Sequence, residues 1–282
     1  MDGTAGPRLP DVGRSVRANL CFARAGERTT LLRQHVPYPF HITRPFYLDA
    51  PHAGLATLYL QSASGGLYGA DDLLLTLDVQ DGALAHLTTQ AATIVHDCRG
   101  LPVRTCIKAS VGRCGFLALT PDPLVLFPGA DIATATDLRL HAGARAILVD
   151  AASLHDPGGA ARPFARFHGS LTVRDAANKV RLSDRGGIEG EALAGSAVLG
   201  NHGAWATLLA LAPAEDLPDP AMLEKLAETA GCICGAGPAP GGLGLAARLA
   251  GPDGGTLGHC LDQLWAACAA AMLGFALAPR RK

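Results

Sequence analysis

Three stretches of this chain repeat one plan at a nearly even interval, and that plan limits the fold more than any single motif. LDVQDGALAHLTT around Gly82, IKASVGRCGFLALT around Gly112 and LRLHAGARAILVD around Gly143 each read as strand, glycine turn, strand. The turns stand roughly 30 residues apart, within the range of stacked repeats, whose units bury their apolar faces against one another. The expectation is a mainly β body built in layers, sandwich-like or solenoid-like. Glycine supports it: 34 of 282 residues, spread in singles and pairs, suit a chain with many turns. With 49 % hydrophobic and 17 % charged residues the chain can bury a core, and a mean hydropathy of +0.21 leaves apolar surface for an obligate partner to cover.

The remaining segments extend this body. Residues 1–20 read as polar and loose, with a first strand near residues 16–23. In residues 31–47, Pro37, Pro39 and Pro45 hold the chain extended, as an edge strand or wrapping segment would be. Residues 165–175, 180–182 and 204–211 continue the β part. Residues 218–230 then read as a helix, with Asp219 as N-cap, Pro220 at the first helical position and Met222, Leu223 and Leu226 on one face. After glycine-rich residues 235–242 come a strand at 243–249 and a final helix over about 256–273. The organisation is one domain: a loose N-terminus, a β body over 24–212 and a helix–strand–helix part over 213–278.

The most informative stretch is residues 61–97. Gly65, Gly66 and Gly69 bracket Tyr68 and mark a tight turn. A strand at 73–79 follows, Asp81-Gly82 gives a hairpin signal, and a second strand spans 84–95. That strand carries a polar row, Thr88, Thr89, Gln90, Thr93 and His96. One reading is a ladder of β-branched threonines bonded across strands. The other is a polar seam along a channel or interface, with Asp71 or Asp72 and His96 as groups able to touch a cation.

Several classes are excluded or disfavoured. A net charge of −1 and a pI near 6.8 give no electrostatic reason to bind nucleic acid or an anionic membrane, and Arg280-Arg281-Lys282 reads as a solvated tail. The N-terminal stretch lacks the apolar core of a signal peptide and no run is long enough to span a bilayer, so a cytoplasmic location is expected. The eight cysteines then read as reduced and buried; Cys232-x-Cys234 has no second pair at metal-ligand spacing. His35, His41 and His52 lie near prolines and read as hydrogen-bonded turn residues. There is no P-loop, no H-E-x-x-H and no G-x-S-x-G nucleophile elbow, and Gly235-Ala236-Gly237 runs into Pro238 instead of opening a helix. These absences favour a scaffold over an enzyme.

The run Ser62, Gly65, Gly66, Leu67, Asp71, Leu73, followed by T-T-Q-A-A-T at residues 88–93, resembles the urease accessory protein family UreD, also called UreH. Pro121-Asp122-Pro123 with Phe127-Pro128-Gly129, then residues 244–248, Leu264-Trp265 and Leu273-Gly274, agree with that family in order and spacing, so the resemblance covers about residues 37–274. The chain reads as a divergent member. Ile94, Val95 and His96 replace the family's lysine and aromatic, and residues 155–159 replace its Gly-Arg and Gly-Glu.

The resemblance implies a urease maturation factor that works with UreF and the GTPase UreG on apo-urease, so that Ni²⁺ reaches the buried site. A conduit must release its ion, and scattered weak donors serve that better than a tight cage. Asp71, Thr88, Thr89, Gln90 and His96 are the expected path, with Asp122 and His155 behind them; no cofactor is expected beyond transient Ni²⁺. Leu261, Trp265 and Met272 on the last helix offer a face for UreF, although that spacing is equally that of a core face. Two alternatives stand beside this reading: a β-structured hydrolase using Asp71 and His96 as an acid–base pair, and an interaction scaffold serving a complex other than urease.

Overall fold

The computed structural model describes residues 13–49, 54–194 and 199–280. Its strands form two sheets. In the first, β1 (Ser15–Ala25), β5 (Asp72–Val79), β8 (Val103–Val111), β11 (Asp131–Leu140) and β13 (Arg166–Arg174) run parallel, with antiparallel β2 (Arg28–His35) and β14 (Val180–Glu189) at the edges. In the second, β4 (Leu55–Ser62), β6 (Leu84–Thr89), β9 (Phe116–Thr120) and β12 (Arg145–Leu154) run parallel. Antiparallel β15 (Ala204–Leu211), β17 (Gly244–Gly251) and β16 (Ile233–Pro238) extend that sheet past β12, and β3 (Phe40–Ile42) closes its other edge. Short β7 (Ile94–Val95) and β10 (Leu124–Leu126) pair beside β12.

The repeats therefore wind as a solenoid. Asp81-Gly82 is a corner that carries the chain from the first sheet to the second, not a hairpin, and β5 and β6 are not partners. Each pairs with the corresponding strand of the next turn: Leu75 stands beside Ile107 and Ile107 beside Thr136, while Leu87 stands beside Leu119 and Leu119 beside Leu148. The physical reason is burial. Leu75, Leu77 and Val79 can share one interior with Ala85 and Leu87 only from opposite sheets. The corners stack as well: the Gly82 amide donates to the Arg113 carbonyl at 2.9 Å, and the Gly112 amide to the Val79 carbonyl at 2.7 Å. A Cβ on Gly112 would stand 2.5 Å from Asp81 Oδ1, so this corner admits only glycine.

Other expectations are adjusted. The polar strand ends at Thr89, and residues 90–93 leave the ladder before β7. β1 begins at Ser15, inside the segment read as loose. Cys232 and Cys234 flank the start of an edge strand, β16, that runs into the stretch read only as glycine-rich; its register with β17, Ile233 beside Ala250, makes it a strand. The helices appear as read: α1 (Pro220–Thr229) is capped by Asp219, and α2 (Gly254–Leu273) by Asp253, whose carboxylate accepts from the Thr256 amide at 2.8 Å. His52, residues 1–12, Arg281 and Lys282 lie outside the described residues. Among those described, no helix is long and apolar enough to cross a membrane.

Packing makes three layers. Along β12, Ile147, Val149 and Ala151 face the helices, and Ala146, Leu148 and Ala152 belong to clusters facing the first sheet. Leu261, Trp265 and Met272 of α2 are buried in the helix-side cluster, each at most 4 % exposed. They are core, and the expectation that they present a face to UreF is corrected: burying such side chains against the sheet contributes about 1.5 to 3 kcal/mol each.

Candidate functional site

The glycine-rich signature builds a fixed turn. Gly65, Gly66 and Ala70 have φ of 74°, 142° and 65°, and a Cβ on Gly66 would stand 2.6 Å from the Ile94 carbonyl oxygen, so that glycine lets the turn lie against β7. Asp71, buried at 2 % exposure, closes the turn. Its carboxylate accepts from Arg14 Nε at 2.7 Å, from the Arg14 terminal nitrogen and from the Tyr68 amide at 2.9 Å. Arg14 also lies over the Tyr68 ring at 5.4 Å. His96 stacks on Tyr68, the rings 4.5 Å apart and nearly parallel. Asp71 and His96 thus each serve the turn, and no hydrogen bond joins them as an acid–base pair. His155 packs 5.6 Å from Phe127, in the same aromatic group.

Between the sheets lies a cavity of about 640 Å³. It interrupts the core where strand after strand changes character. Along β8, Val103 belongs to one apolar cluster and Ala109 and Val111 to another, with Thr105 and Ile107 at the cavity between them. Along β11 the same positions hold Ile132, then Thr134 and Thr136, then Leu138. β12 supplies Asp150, bracketed by Leu148 and Ala152. Of the residues singled out from sequence, Thr89, Gln90 and Asp122 line this cavity, whereas Asp71, Thr88, His96 and His155 do not. Gln90 accepts from the Gln61 amide, whose oxygen lies 2.6 Å from His41 Nδ1, so a string of amides and imidazole borders the cavity.

Asp150 is the residue that sequence reasoning missed. Burial pushes its carboxyl up to about 6, against a smaller opposing pull from the Thr134 hydroxyl, which donates to Oδ2 at 3.4 Å. A Cβ on Gly169 would stand 2.9 Å from that oxygen, so the facing strand leaves room for the carboxylate. The available signal was a single charge inside the apolar run ILVDAA.

Strand alternation splits the threonine row. Thr89 accepts from the Asp122 amide at 2.8 Å on the cavity side. Thr88 turns the other way, where its hydroxyl donates to the Thr120 carbonyl at 2.7 Å and accepts from Arg280. Arg280 is not a solvated tail: its side chain is 6 % exposed and is paired with Asp122 and Asp262. Close by, the ring of His86 packs 4.3 Å from Trp265 with Nε2 2.8 Å from the Thr120 hydroxyl, and burial first, then the Arg280 charge, lowers it to about 3. Among the described residues no three His, Cys, Asp or Glu side chains gather as a metal cage, and the cysteines are free thiols, with Cys106 at the cavity pushed up by burial.

Comparison with known proteins places these features. The model of the family described as UreD urease accessory protein matches residues 14–282. Urease accessory protein UreD 1 of Methylorubrum extorquens is 45 % identical over 275 residues, covering 97 % of this chain and 94 % of that protein. UreD 1 of a Bradyrhizobium species is 44 % identical, covering 96 % of each chain, and UreD 1 of Pseudomonas syringae pv. syringae is 31 % identical, covering 94 % and 95 %. A solenoid with these motifs in this order, matched along nearly its whole length, belongs to the UreD urease accessory protein family.

Proposed function

We propose that this chain acts in urease maturation as a scaffold whose inter-sheet cavity passes Ni²⁺ toward apo-urease, in a complex with UreF and the GTPase UreG. The observation that carries the reading is the cavity itself: about 640 Å³ lined by two carboxylates, Asp150 and the buried Asp122, with the hydroxyls of Thr89, Thr105, Thr134 and Thr136. Thiolate or multi-histidine sites hold first-row divalent ions tightly, whereas isolated oxygen donors hold them weakly enough to let go. Asp71 serves this role indirectly, by fixing the turn that walls the cavity at Gly65 and Gly66.

A tryptophan placed at Thr136 tests the reading, since the cavity has room for the indole and the strand face is otherwise unchanged. Co-expressed with urease and its accessory proteins, the Thr136→Trp chain is expected to assemble normally while nickel per urease active site falls several-fold. Full nickel loading with the cavity filled would overturn it.

A further inference from the structure

The segment that follows α2 runs back to the second sheet and ends with one arginine set against two carboxylates. Leu277 packs on the helix-side core, the Ala278 amide donates to the Asp49 carboxylate, and Arg280 reaches into a cradle of four oxygens. These are Asp122 Oδ1 and the Thr120 carbonyl, both at 3.3 Å, with the Thr88 hydroxyl and Asp262 Oδ1. Arg14 on Asp71 and Arg166 on Asp131 form forks, each using Nε and a terminal nitrogen on one carboxylate. Arg280 instead sets one terminal nitrogen between the carboxylates of Asp122 and Asp262 and the other between the Thr88 hydroxyl and the Thr120 carbonyl, and its Nε is the buried side-chain polar atom left without a hydrogen-bond partner among the described residues. The cradle gathers two carboxylates, a hydroxyl and a carbonyl around one positive charge, with neither carboxylate engaged in the two-point fork that suits guanidinium best.

We propose that this cradle is a divalent-cation site and that Arg280 is a tethered cation occupying it. When the segment lifts, Asp122, Asp262, the Thr88 hydroxyl and the Thr120 carbonyl form an oxygen donor set for an ion such as Ni²⁺ or Mg²⁺. Asp122 also lines the inter-sheet cavity, so one donor is shared between the site and the cavity while the other three lie outside its lining. The existence of the site stands apart from the proposed conduit; only its part in nickel transfer rests on that reading.

The test uses the purified full chain titrated calorimetrically with Ni²⁺ alone, and separately with Mg²⁺. Relative to wild type, Arg280→Ala is expected to bind one equivalent of Ni²⁺ at least tenfold more tightly, and Arg280→Ala with Asp122→Asn to lose that gain. Arg280→Gln keeps the buried stem and carries the same expectation if the alanine variant does not fold. Binding no tighter than wild type, or a gain that survives Asp122→Asn, overturns the site. A gain here together with full urease loading by Thr136→Trp would keep the site and remove the conduit.

Discussion

Asp150 sets stability against function, and the conflict can be measured. In the fold its carboxyl titrates at about 6, against 3.8 for the free group, and each decade between the two values is worth about 1.4 kcal/mol. The sign follows from proton binding: between these values the folded chain holds the proton more firmly than the unfolded one, so stability falls as pH rises through this window. The cost is absent below about pH 3.8, about 1 kcal/mol at pH 4.5 and about 3 kcal/mol at pH 7.5. Asp150→Asn keeps an acceptor for the Thr134 hydroxyl and never ionises. It should therefore raise the urea midpoint at pH 7.5 by the equivalent of about 2 to 3 kcal/mol, and by about 1 kcal/mol at pH 4.5, with an unchanged denaturant slope. The same variant should lower nickel delivered to urease, a more stable chain that works less well. An equal gain at both pH values, or none at either, would refute the argument that desolvation in the cavity raises this carboxyl.

Asp71→Ala removes the acceptor from Arg14 and from the Tyr68 amide; breaking a buried pair costs about 3 to 5 kcal/mol, reduced to about 2 to 4 here by the water that Arg14 can reach. A loss below about 1 kcal/mol in chemical denaturation would show that the turn does not depend on the pair. His86 acts in the opposite sense to Asp150: its folded value of about 3 lies below the ordinary 6.5, so its contribution is whole above about pH 6.5 and is lost as pH falls, by up to about 1.4 kcal/mol per pH unit. Measured in the Asp150→Asn background, to remove the opposing carboxyl, His86→Gln should flatten stability between pH 6.5 and 4.5; an unchanged slope would mean that His86 is not held neutral.

A layered, mainly β body, the capped helices and the family were legible in the residues alone, because these rest on local rules: glycine at turns, runs of β-favouring apolar residues, Asp219 before Pro220, and motifs in order along the chain; whether the layers made a sandwich or a solenoid was not. It also marked Thr89, Gln90 and Asp122, which the fold does bring to one cavity. Tertiary structure decided which face each polar residue took. Thr88 and Thr89 are adjacent in sequence but point to opposite sides of a sheet, and nothing local says which side holds the cavity and which the helix. Asp81-Gly82 reads as a hairpin from its residues, and it is a corner only because neighbouring turns of the solenoid offer its strands other partners. Asp150 and Arg280 were hidden for the same reason: one charge in an apolar strand and one near the chain's end gain meaning only from groups that folding brings to them, Thr134 across the interior and Asp122 from 158 residues away.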